Sequence, residues 1–335
     1  MLGKPARLDI SLANRERTGF HGLITRARAL GSNGGMARYR LRLSPWLWQL
    51  SQTRNSRVWE NKSVIDIIDT VFQPYRRATW RWTDEVNAFM ADTPARSFCC
   101  QYRESDLDFV IRLLTEEGLS WRVEDTEQGH CLVLFADSTQ RCAVPDDISS
   151  AAGDGIRYHG ARAGEQSDTV QSLFTRRSLR SSGSTLLSYD YKAKKAVSVS
   201  VATHAQGGAR LPPLDHYETP GQYAFASERQ ARHYGVLHAE AMEARSASWI
   251  MRSTIRTLRA GSRFTLLGGP RPSDGPEPSY TVLRVRSVGI NNLPAPASEA
   301  LAELFGPIPE LLGETLAQAD AEYLDRAITQ ARASG

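Results

Sequence analysis

Two strings that announce common enzyme classes are absent from this 335-residue chain: Gly-x-Ser-x-Gly and Gly-x-x-x-x-Gly-Lys-Ser/Thr. A nucleophile elbow and a phosphate-binding loop both lose their sequence support. Cysteine is scarce, with Cys99, Cys100, Cys131 and Cys142 and no Cys-x-x-Cys pair, which argues against a disulfide framework and for reduced thiols of a cytosolic protein. Each is expected to be buried and inert. Long apolar runs are missing too, so no spanning helix and no stable membrane insertion are expected. Lys4, Arg7, Asp9, Arg15, Glu16 and Arg17 interrupt the first thirty residues, leaving no apolar core for a secretory signal. Charge of one sign is also lacking: 41 basic against 37 acidic side chains give a net +4, too even to point to a polyanion. Arg76-Arg77 and Arg176-Arg177 read as solvated faces. The seven histidines contain no His-Glu-x-x-His, and His233 and His238, five apart, do not share a helix face, so no metal site is expected.

What is present is ordinary globular material, 41% hydrophobic and 23% charged, long enough for two or three domains. Short strands are expected over Ala6–Leu12, Thr18–Ala29 and Ala37–Leu43, with Gly31–Gly35 as a turn. In the third, Tyr39, Leu41 and Leu43 alternate with Arg38, Arg40 and Arg42, which predicts a buried apolar face and a wet basic one. Ser63 with Asp66, and Ser105 with Asp108, open two amphipathic helices, the first ending near Pro74 and the second at Gly118. Strands at Leu119–Val123 and Cys131–Phe135 follow, with a turn through Gln128-Gly129. Residues 143–164, rich in Asp, Gly, Ser and Pro, are the best linker. Polar strands resume over Ser178–Thr203, and 211–221 is a loop. Ser227 and Gln230 open the longest helix, to about Ser246. Strands return at Trp249–Leu258, Arg263–Leu267 and Tyr280–Val288, and the tail after Pro294 is helical with a break at Gly306-Pro307.

Several groups invite a chemical reading. Glu104, Asp106 and Asp108 could form a glycosidase acid and base pair in an apolar pocket, but acids at a helix start complement its dipole and cap its N–H groups, which accounts for all three more simply. Asn61-Lys62-Ser63 matches a glycosylation sequon and reads better as the approach to a helix cap. Tyr189, Tyr191, Lys192, Lys194 and Lys195 resemble a single-strand nucleic-acid platform, although two tyrosines on one strand face more often pack. No residue is assigned as catalytic, cofactor-binding or metal-ligating.

The segment Gln101-Tyr-Arg-Glu-Ser-Asp-Leu-Asp-Phe-Val-Ile-Arg-Leu-Leu-Thr-Glu-Glu-Gly-Leu-Ser-Trp resembles the signature of VgrG proteins, the trimeric tip and hub of type VI secretion systems. So do Phe20-His21-Gly22-Leu-Ile-Thr25, Ala37 through Trp48, Asn61 through Ile68 with Val71-Phe72, Ser188-Tyr-Asp-Tyr191, Gly261-Ser-Arg-Phe264 and Asn291-Asn-Leu-Pro294. Their order is the family's order, so the resemblance covers Leu2 to about Pro294.

The resemblance implies an α+β chain with two phage-tail-hub-type β-barrel domains, α/β elements between and inserted, and a C-terminal helical linker. On it, residues 1–58 are a first barrel lacking upstream strands, 59–150 an α+β connecting domain, 151–293 a second barrel carrying the long helix, and 294–335 a linker toward an absent OB-like barrel and needle. It further implies a non-enzymatic homotrimer whose six barrels meet a hexameric tube of Hcp, with baseplate proteins and effectors as partners, no cofactor and no nucleic acid. Such a hub would reside in the bacterial cytoplasm before firing and be translocated by the apparatus. The alternatives are the hub of a contractile prophage tail, a nucleic-acid or polysaccharide-binding β module using Lys192–Lys195, and a murein hydrolase using Glu104 and Asp108.

Overall fold

The computed structural model describes residues 1–33, 36–159, 168–204, 212–225, 227–270, 276–289, 291 and 293–306. The chain opens with β1 (Pro5–Ser11), β2 (Arg17–Asn33) and β3 (Met36–Ser44), followed by a 3-10 turn at Trp46–Gln52. A central block holds β4 (Arg54–Trp59), α1 (Val64–Phe72), β5 (Trp80–Trp82), α2 (Glu85–Phe89), β6 (Cys99–Ser105), α3 (Asp106–Glu116), β7 (Ser120–Thr126) and β8 (Gly129–Phe135). Then come α4 (Ile148–Ala152), β9 (Ile156–Arg157), β10 (Val170–Arg177), β11 (Gly183–Asp190), β12 (Lys195–Ala202), β13 (Asp215–Glu218), α5 (Glu228–Ser246), β14 (Ala247–Ser253), β15 (Arg263–Leu267), β16 (Ser279–Thr281) and α6 (Ala295–Phe305). Among the described residues the strands form six open sheets of two or three strands, ordered β1-β2-β3, β4-β6, β5-β8-β7, β10-β14, β12-β11-β13 and β16-β15-β9. This is a mixed α and β fold in which strands predominate. Two compact units are separable, Met1–Ala27 with Leu41–Val285, and Arg28–Arg40 with the chain from Arg286 onward.

Serine caps set the central helices. Ser63 Oγ accepts the Asp66 N–H at 3.1 Å and donates to Asp66 Oδ2 at 2.7 Å, and Ser105 repeats the arrangement with Asp108 at 3.1 and 2.6 Å. Each box satisfies donors that the first helical turn leaves unpaired. Helical spacing then places Val64, Ile67, Ile68, Val71 and Phe72 of α1 in the interior, along with Phe109, Val110, Leu113 and Leu114 of α3. Each fully buried apolar side chain of this kind contributes about 1.5–3 kcal/mol. Gly118, at φ +71°, ends α3 in the left-handed conformation expected of it. Three tryptophans complete the core's polar seams. Trp80 and Trp82 both donate their indole N–H to Asp69 Oδ1, at 2.7 and 2.9 Å. Trp46 stands edge-on to Phe72 at 5.1 Å, donates its indole N–H to the Thr79 carbonyl, and gives its backbone N–H to His130 Nε2 at 2.7 Å.

That last bond makes one pH effect calculable. His130 must be neutral at Nε2 to accept, and burial holds its pKa below the ordinary 6.5, with Asp125 opposing and His21 reinforcing the shift. Below about pH 6.5 the unfolded chain therefore binds a proton that the folded chain refuses, so stability falls with falling pH until the folded-state value is reached. Above that window this group contributes no slope. Denaturant titrations between pH 7.5 and 5.5 are expected to show the decline, and His130→Gln, an acceptor that does not titrate, is expected to flatten it.

Five expectations need correction. Tyr39 and Leu41 are 63% and 44% exposed while Arg38, Arg40 and Arg42 are half-covered, so the apolar face is the wetter of the two; long arginine stems can themselves provide covered apolar surface. Residues 143–159 are not an open linker: Ala143 and Val144 are buried, Asp147 caps α4, the Asp147 N–H donates to the Arg263 carbonyl and the Arg263 N–H donates to the Pro145 carbonyl. The remainder of that stretch, 160–164, lies outside the described residues, as does the chain beyond Gly306. The 211–221 loop contains β13, paired in parallel with β11, and the last expected strand shortens to Ser279–Thr281. Of the four free cysteines only Cys99 is buried, and Cys142 is exposed.

Candidate functional site

The three acids of the signature segment have three different roles. Asp108 closes the capping box. Glu104 sits on β6 with both oxygens facing Arg112, at 2.6 and 3.4 Å, and Arg112 also donates to the Cys100 carbonyl and to Glu116. Asp106 is 0% exposed and accepts from Asn55 Nδ2, Gln101 Nε2 and Tyr75 Oη at 2.8 Å each, with Arg57 3.4 Å away. Burial, reinforced by Asp106, pushes the Tyr75 phenol up to about 12. Capping therefore explains Asp108 alone. Glu104 is paired with Arg112, and Asp106 is buried among three hydrogen-bond donors, so the contacts of both carboxylates are structural ones.

The Tyr189 to Lys195 stretch is not the packed strand face that two tyrosines at this spacing suggest. β11 ends at Asp190, whose carboxylate accepts the backbone N–H groups of Lys192 and Ala193 at 2.9 and 3.0 Å. That Asx turn lifts Tyr191 off the strand, so Tyr189 and Tyr191 do not share a packed face, and both are exposed. Lys192 Nζ instead lies 4.3 Å over the Tyr223 ring. Asn61, at φ +51°, turns the chain into the Ser63 cap as expected.

Residues of the resembling motifs recur at seams between elements. His21 binds Asp125 on β7 through its backbone N–H at 2.9 Å and through Nδ1 at 3.3 Å. Phe20 lies 3.6 Å beneath the Arg259 guanidinium, which donates to Thr18 Oγ1. A Cβ on Gly22 would meet the Ser44 carbonyl at 2.9 Å, so glycine permits the close approach of β2 and β3. Glu117, at the end of α3, accepts from Arg96 and from Tyr234 of α5. Hydrogen bonds to Glu117 and Glu116 outweigh burial and raise the Arg96 pKa, while burial and then the Glu117 charge raise that of Tyr234. These are joints between elements.

The exposed feature with assembly character is the two-stranded β10–β14 ribbon. In its register Leu173 faces Met251 and Phe174 faces Ile250. One side packs, with Leu173 and Met251 on a core around Phe264 and Trp249 edge-on to Tyr280 at 5.5 Å. The other side leaves Phe174 and Ile250 directly opposite each other, 55% and 58% exposed. An apolar cross-strand pair on a ribbon that no further strand extends among the described residues is a surface suited to a partner.

The profile of the phage tail baseplate hub (GPD) family matches residues 1–293. The chain belongs to this family. Within the hub family its curated relatives include the Pseudomonas aeruginosa type VI secretion system spike protein VgrG1b, 30% identical over 281 residues, covering 83% of this chain and 36% of the relative. VgrG1a of the same organism is 28% identical over 282 residues, covering 83% and 41%. The chain thus spans well under half the length of these relatives. Among solved structures, an Escherichia coli component of the type VI secretion system aligns with a TM-score of 0.50 and 18% identity, covering 81% of this chain and 63% of that one. That likeness concerns the fold alone. The relatives are spike and hub proteins, in line with the motif order along the chain. No helix among the described residues is long and apolar enough to cross a membrane.

Proposed function

We propose that this chain is the hub portion of a type VI secretion spike, a non-enzymatic subunit that trimerises, caps and nucleates the hexameric Hcp tube, and travels with it carrying effectors. The observation that carries this reading is the similarity to VgrG spike proteins over 83% of the chain, within a family match that reaches residue 293. Two phage-tail-hub-type β-barrels, in 1–58 and 151–293, joined by a connecting domain in 59–150 and followed by a helical linker in 294–335, would let three subunits offer six related surfaces to a sixfold tube. Baseplate proteins would surround the hub. It would wait in the bacterial cytoplasm and leave through the apparatus, without nucleic acid and without membrane insertion.

Sedimentation and native mass spectrometry of the chain, alone and with Hcp, test the reading. A concentration-dependent trimer and a mixed complex with Hcp are expected. The Phe174→Glu/Ile250→Glu double variant is expected to weaken association at least about tenfold, equivalent to about 1.4 kcal/mol, with the melting temperature preserved because both side chains are exposed. A chain that stays monomeric at every concentration reached and never joins Hcp overturns the assignment. A second reading, the hub of a contractile prophage tail, is favoured by the description of the matching family. It predicts binding to a phage tube protein in preference to Hcp.

A further inference from the structure

β13 is a weakly held element. Its four residues are all exposed, and it is joined to β11 over only Gly183↔Asp215 to Leu186↔Glu218. Spaced by two on this strand, His216 and Glu218 fall on the same side. α5 lies against the same sheet so closely that a Cβ on Gly235 would meet Val201 at 2.9 Å. One turn further on, His238 comes to the pair from β13. The ligand atoms of His216, Glu218 and His238 lie within 4.8 Å of one another, the one such cluster of histidine, cysteine and carboxylate groups among the described residues.

Two details favour a cation over chance crowding. The His216 and His238 rings are 4.9 Å apart, and His238 Nε2 stands 3.6 Å from Glu218 Oε2. That separation is too long for a hydrogen bond, but it is close to the roughly 3.3 Å between ligands of a tetrahedral ion with bonds of about 2.0–2.1 Å. On its other nitrogen, His238 Nδ1 is 2.6 Å from the hydroxyl of Ser184, a β11 side chain with 0% exposure. A metal-binding imidazole is oriented in this way, with one nitrogen engaged by a buried outer partner and the other left for the ion.

The geometry points to a binding site for a divalent transition-metal ion of the zinc class, held by His216, Glu218 and His238, with Ser184 orienting His238 and water completing the coordination. Two imidazoles and one carboxylate match zinc and neighbouring transition metals and disfavour magnesium or calcium, which take oxygen ligands. The ion clips β13 to α5, supplying a cross-link where apolar packing is thin. Sequence spacing hides the set, since His216 and His238 are separated by a loop and half a helix.

The untagged 335-residue chain, stripped with a chelator, would be titrated with zinc chloride in a calorimeter, with magnesium chloride as the control. One zinc per chain, no magnesium uptake, and a rise in melting temperature on adding zinc are expected. His216→Ala and Glu218→Gln change exposed side chains, and far-UV circular dichroism reports that each variant is folded. Each is expected to weaken zinc binding at least about tenfold, the lower end of what disturbing even an outer-shell partner does. Absence of zinc uptake by the unmodified chain, or uptake equally tight in both folded variants, overturns the site.

Discussion

Asp106→Ala is expected to lower the unfolding free energy by about 3–5 kcal/mol, the range for removing one partner from a buried charged network. The substitution deletes the common acceptor of Asn55, Gln101 and Tyr75 and the counter-charge of Arg57. Gln101 is itself fully buried and cannot turn to solvent, while Asn55 and Tyr75 are half-covered and would recover water only in part. Asp106→Asn keeps the volume yet places an NH2 group among donors, so it should recover only part of the loss. Urea titrations of both variants measure the effect, and a loss under about 1 kcal/mol for the alanine variant would mean that the network is decoration. Because the network ties β4, β6 and the turn after α1 to the start of α3, the signature segment is expected to lose order first.

Glu117→Ala is the second large effect, at about 2–4 kcal/mol from leaving a half-buried phenol and part of a guanidinium without an acceptor. Its importance follows from how α5 is seated. Nineteen residues long, this helix buries only Ala231, Gly235 and Ala239, so close approach yields little apolar area and polar anchors decide its position. Tyr234 donating to Glu117, beside Leu237 at the helix-ending Gly118, is one anchor on the central block, with the exposed Arg229–Asp92 pair a second. Hydrogen exchange along α5 should accelerate in Glu117→Ala. Tyr234→Phe alone is expected to cost about 0.5–1.5 kcal/mol, and the double variant to show non-additivity, since the two share one bond. Strict additivity would detach Tyr234 from Glu117.

Capping chemistry made α1, α3 and α5 legible from sequence, because Ser63, Ser105 and Ser227 each accept the N–H three residues on. Unbroken apolar strands such as β8 were equally plain. β4 and β6 were not, since Arg54–Trp59 and Cys99–Ser105 are mostly polar and the fully buried side chain of the latter is Gln101. β5 is only Trp-Arg-Trp, too short to show a period. The apolar alternation in β3 was read correctly as a pattern and wrongly as burial, because alternation says which residues share a face but not whether anything covers it. The joints and the His216 cluster were invisible for a common reason: Asn55, Tyr75 and Asp106, or His216 and His238, meet through tertiary contacts that no local spacing encodes. Family resemblance supplied the role that residue chemistry alone did not.

The open Phe174–Ile250 pair has a thermal consequence. Any association that covers it removes apolar surface from water and carries a negative heat-capacity change. Near room temperature such a driving force is largely entropic and weakens on cooling. If copies of the chain associate through this pair, they should therefore be more dissociated on ice than at 25 °C, and calorimetry of that association at several temperatures should show an enthalpy that grows steadily more favourable with warming.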